Sequence, residues 1–174
     1  MHEPEIETRS YLKLLLLAAL LGAASAAVLF LFMLLVNTGS AAVWQTAAAA
    51  TGLPAPLFTF LVCTFGGLLV GIAVKVFGDH SGIFAELMAE FGRTGRFDYR
   101  RAPGIVVTAL ISLVSGGSLG PEAPMADACG GMGTWLADRL KLDPRQSRVL
   151  SFAGLSGMLA AFITSPFAGA VLAL

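Results

Sequence analysis

The chain has 174 residues, 56% of them hydrophobic and only 13% charged, and its 11 basic and 11 acidic side chains cancel. Soluble domains carry about a quarter charged residues, so this composition and a mean hydropathy of +0.81 exclude an ordinary soluble domain. Zero net charge leaves no electrostatic footprint for nucleic acid. The class that remains is an all-α, polytopic membrane protein, multi-pass in the cell membrane.

Residues 1–13 form a polar leader. Leu14–Val36 carries no charge; at ~1.5 Å per residue it gives ~34 Å of helix, enough to cross a bilayer. Ala24–Ala26 resembles a signal-peptide cleavage site, but Glu3, Glu5 and Glu7 precede it and the apolar run continues beyond it, so this span reads as a retained helix. Residues 37–56 read as an uncharged loop, with Trp44 at an interface and Pro54 and Pro56 closing it. Leu57–Val74 is the second span. Its Gly67 and Gly71 form a GxxxG step expected to give close helix contact. Cys63 and Cys129 lie in separate apolar segments and read as small buried thiols, not as a disulfide or metal site.

Composition changes after Val74. Residues 75–101 hold Arg93, Arg96, Arg100 and Arg101, and residues 138–148 hold Arg139, Lys141, Arg145 and Arg148. Basic loops stay in the cytoplasm. Both stretches, and the N-terminus, are therefore expected on that side, and residues 102–137 must enter the membrane and return. Split at Gly117, the two limbs would meet inside the membrane or near its far face. At that point stands Gly116–Met125, GGSLGPEAPM. Irregular backbone at membrane depth survives only where protein or water satisfies it, and broken helices aim their ends at ions. Pro121 fits the first helical position. The N–H groups of Gly120, Glu122 and Ala123 are then free donors at a helix end that attracts anions. A second break precedes Gly78–Phe91. There Ser81 offers a hydroxyl, Gly82 allows close backbone approach, and Ile83, Phe84, Leu87, Met88 and Phe91 recur at helical spacing.

Together the two breaks resemble the CLC chloride channel and transporter family. His80–Phe84 (HSGIF) is similar to its first filter motif, GSGIP. GGSLGPEAP is similar to its second, G(K/R)EGP, with Gly117, Gly120 and Pro121 on matching positions. Gly130–Asp143 resembles the helix that follows, and Gly154–Leu174 resembles the AAFNAPLAG segment. The resemblance implies that residues 14–174 are the first half of an inverted-repeat fold, an incomplete half-domain that passively moves chloride or a similar anion. It implies no enzyme activity, no cofactor and no metal. The inner anion pathway would use Ser81, Gly82 and Ile83, and the outer part Leu119, Gly120, Pro121, Glu122 and Ala123. Two positions depart from the family: Phe84 replaces a proline, and Leu119 stands where the gating glutamate falls. The expected partners are the anion, the bilayer, and a second CLC-like half or further copies of this chain.

Three residues keep open readings. Glu122 is either a gate by proximity or a charge that complements its own helix N-terminus. Asp127 pairs with an arginine or lines a wet cavity. His80 is a proton group or a solvated cap. Gly130, Gly133 and Ala137 read as packing positions. Two rival functions stand beside transport. One is a non-conducting structural remnant. The other is a rhomboid-like intramembrane serine protease, suggested by Gly154–Gly157 (GLSG), for which Ser156 needs a histidine base that no later residue supplies.

Overall fold

The computed structural model describes residues 8–77, 83–118 and 120–172. These residues are helical and contain no strand, so the protein is an all-α membrane protein. Helix α1 spans Thr8–Ala41 and runs on through a π-helical turn, Ala42–Ala47, into a last short stretch, α2, Ala48–Thr51. The loop expected over residues 37–56 is thus mostly helix. The alanine run at 47–50 favours helix, and the chain stops only at Gly52, in the left-handed conformation. Helix α3, Ala55–Phe77, contains the second span. Both α1–α2 and α3 are long and apolar enough to cross a membrane.

The remaining helices are shorter. They are α4 (Phe84–Thr94), α5 (Ala102–Val114), α6 (Glu122–Leu140), α7 (Pro144–Phe162) and α8 (Pro166–Leu172). Asp143 caps α7 by accepting from the Gln146 N–H at 2.9 Å, with Pro144 at the first position, where no donor is needed. The ITSP interruption is real: α7 ends at Phe162, Thr164 has φ 55°, and α8 restarts at Pro166.

The core lies where α1, α6 and α7 cross. A Cβ at Gly133 of α6 would collide with the backbone of Leu150 and Ser151 in α7, and one at Gly154 of α7 would collide with the Cys129 carbonyl. Gly157 sets the same close approach to Gly22 of α1. Thr134 ties three segments together. Its hydroxyl shares a 2.8 Å hydrogen bond with Ser151 and accepts one from the Phe97 N–H at 3.1 Å. Gly130 and Gly133 pack as expected, and Ala137 is buried.

Two packing expectations are corrected. Gly67 and Gly71 meet nothing within 4 Å of a Cβ position. The close approach on α3 belongs to Gly66, which lies against Ser115. Cys63 is exposed, while Cys129 is buried.

Candidate functional site

The GGSLGPEAPM break sits between α5 and α6. Helix α5 ends at Val114, and Ser115 and Gly116 turn the chain, with Gly116 at φ 98°. The Gly117 N–H donates to the Ser112 carbonyl at 2.8 Å. Helix α6 then begins at Glu122, with Pro121 in the capping position at φ −79°. Pro121 therefore falls one residue before the expected first helical position, and Pro124 lies in the first turn. The Pro121 carbonyl accepts the first bond of the helix, from the Met125 N–H at 2.9 Å. The N–H groups of Glu122 and Ala123 precede it and have no partner within the helix.

The depth of the break is readable from its neighbours. The start of α5 packs at Gly104 against Phe77, the last residue of α3. Its far end packs at Ser115 against Gly66, eleven residues from either end of α3. Helix α5 therefore climbs from one end of α3 to its midpoint, and the break lies near the middle of that span. The Trp44 indole N–H donates to the Val114 carbonyl at 2.9 Å, filling an acceptor that the end of α5 leaves open. Trp44 thus braces the break.

The two charged stretches meet at the other end of these helices. Arg96 pairs with Asp138 at 2.5 Å, and Arg148 reaches the Gly92 carbonyl at 3.5 Å. Helices α5 and α6 thus leave and return to one charged surface.

The outer pathway residues fare unequally. Gly120 is exposed and Pro121 is buried, while Glu122 and Ala123 are half-buried. The Glu122 carboxylate folds back onto Gly120, so that a Cβ there would overlap its oxygens. Leu119 lies outside the described residues, as do Ser81, Gly82 and His80 of the inner motif. Ile83 is the residue before α4, extended at φ −61° and ψ 155°, and is 67% exposed. It leaves the buried face that Leu87 and Phe91 form, contrary to its expected place in that stripe. Phe84, in the first turn of α4, and Met125, in the first turn of α6, pack into one core cluster. The structure thus draws the starts of the two post-break helices to a shared core.

Asp127 lines a cavity and makes no ion pair among the described residues. Of its two expected settings the structure gives the cavity and not the arginine partner, and four chain segments build that cavity. Ser156 has a buried hydroxyl without a hydrogen-bond partner, and no histidine lies among the described residues.

Residues 66–174 match the family model described as voltage gated chloride channel. The chain is also similar to proteins named "Putative ion-transport protein YfeO" from Escherichia coli strains O6:H1, O1:K1 and K12, each 26% identical over 167 residues. The alignments cover 94% of this chain and 39% of each relative, so the chain spans well under half the length of these relatives. No solved structure matches it. The family match covers more than half of the chain and contains both helix breaks; the chain belongs to the voltage gated chloride channel family.

Proposed function

We propose that residues 14–174 form one wall of a passive path for chloride or a similar anion. The observation that carries this reading is the mid-span break, where the amides of Glu122 and Ala123, without an acceptor among the described residues, begin α6 beside Gly120. A helix N-terminus concentrates about half a positive charge there. Family membership and the ion-transport names of the relatives point the same way, toward a transporter rather than an enzyme. The N-terminus and both basic stretches face the cytoplasm in this reading. Ser81, Gly82 and Ile83 supply the inner part of the path. Leu119, Gly120, Pro121, Glu122 and Ala123 supply the outer part.

Glu122 acts as a tethered competitor. Its carboxylate lies against Gly120, at the helix end an incoming anion would seek. The anion enters when this side chain swings away or takes up a proton. The second wall comes from another CLC-like half or a further copy of this chain, because free backbone donors facing lipid cost several kcal/mol each.

The test is chloride release from liposomes after a valinomycin shunt. Residues 1–174 alone should give background release, and co-expression with a CLC-like second half should restore it. In that assembly Glu122→Gln should raise the release rate about tenfold, as expected for losing a competing charge worth ~1.4 kcal/mol, and Leu119→Glu should introduce pH-dependent gating. Background release in every arm would leave the chain a non-conducting packing element. Robust release from 1–174 alone, blocked by Gly120→Leu, would show that copies of this half suffice.

A further inference from the structure

Away from the break, α4, the segment after it, α5 and α6 enclose a cavity of about 260 Å³. Asp127 lies on its floor and is 5% exposed. No hydrogen bond or ion pair reaches that carboxylate from any described residue. Glu86 and Glu90, one turn apart on α4, are exposed where they line it, also without ion-pair partners among the described residues. The other charges lining the cavity have partners: Asp98 pairs with Arg101 at 3.1 Å, and Arg96 pairs with Asp138. Three carboxylates therefore have no direct partner among the described residues, one of them almost wholly buried. A buried charge is tolerated when it is paired and costs several kcal/mol when it is not.

The walls decide what kind of cation fits. Leu87, Phe91, Phe97 and Ile105 line the cavity with hydrocarbon side chains that offer no oxygen. Among the described residues, no three acidic, histidine or cysteine side chains gather closely enough to hold a metal ion. Phe91 stacks with Phe97 and Phe152, and the Arg148 guanidinium already lies over its ring. What suits these walls is a cationic head on an alkyl stem. The head would reach the Asp127 carboxylate, the stem would lie along Leu87 and Ile105, and Glu86 and Glu90 would attract the charge.

We infer that this cavity is a binding site for an alkyl-ammonium or alkyl-guanidinium group, with Asp127 as its buried counter-charge. Two sources supply that chemistry: a free polyamine, or an arginine or lysine side chain of adjoining polypeptide.

The test is calorimetric titration of purified 1–174 in detergent with spermidine and, separately, with N-acetyl-arginine amide. Tetramethylammonium at matched ionic strength is the control, since it donates no hydrogen bond. Saturable binding of at least one probe is expected. It should weaken about tenfold or more in Asp127→Asn, as for loss of a charged hydrogen-bond partner, and recover in Asp127→Glu. The Glu86→Gln/Glu90→Gln double variant sits on an exposed surface, so it tests the site even if Asp127→Asn fails to fold; it should weaken binding severalfold. Tighter binding of spermidine assigns the site to a free polyamine, and tighter binding of the arginine amide assigns it to a protein side chain. Equal response to tetramethylammonium, no saturable binding, or binding untouched in the double variant and in a folded Asp127→Asn would overturn the inference.

Discussion

Helices α3 and α6 pass through the same layer of the molecule and follow opposite rules. Helix α3 is among the most apolar segments, yet only Phe58, Gly66 and Ala73 are buried along its 23 residues. Phe60, Phe65, Leu68 and Leu69 point outward. Helix α6 is far less apolar and carries Glu122, Asp127 and Thr134, yet it buries ten of its 19 residues. In water the greasier helix would be the inner one. In a bilayer the lipid accepts the apolar face at no cost, so hydropathy marks the outside. Burial is decided by small residues that let backbones approach and by polar groups that find partners.

Breaking α6 should therefore cost far more than enlarging α3. Gly133→Leu places a side chain into the Leu150–Ser151 backbone of α7, where neither helix can yield. The expected loss is about 3 kcal/mol or more, read as failure to purify as a monodisperse species or as a large drop in melting temperature in detergent. Thr134→Val keeps the shape but removes the hydroxyl that Ser151 and the Phe97 N–H share. Leaving those two groups unpaired should cost about 1–3 kcal/mol, measured by the same melting experiment. The smallest effect belongs to α3. Gly67→Leu meets open space, so its stability, read in the same melting experiment, should stay within the ~0.5 kcal/mol expected of a neutral site. A large loss there would mean that another chain covers that face, and the contrast between the helices would need redrawing.

The legible part of this fold was its punctuation. The charge-free spans, the charged surface and the GGSLGPEAPM break are visible because charge, glycine and proline carry direct meaning for a chain in lipid. Faces were less visible. Gly66, Gly67 and Gly71 look alike in the sequence, and only the position of Ser115 shows that Gly66 is the contact. At the end of the first helix, Asn37, Thr38, Gly39 and Ser40 have the composition of a turn. Thr38 instead bonds back to the Leu34 carbonyl at 2.7 Å, and Gly39 lets α1 lie against Val114. A probe for the connection between the first two spans accordingly belongs at Leu53, in the non-helical residues before α3. At the site, Asp127 was legible as a charge, but its cavity depends on residues from α4, the following segment and α5, which no local pattern joins.

The wide turn at Ala42–Ala47 also sets where a side chain points. A π-turn arises most simply when one residue is inserted into an α-helix, and the insertion rotates everything beyond it by about 100°. Trp44 lies inside that turn, and its indole holds the last carbonyl of α5. The brace therefore depends on the length of that turn: removing one residue within Ala42–Ala47 would aim a different side chain at the Val114 carbonyl and leave the end of α5 without its donor.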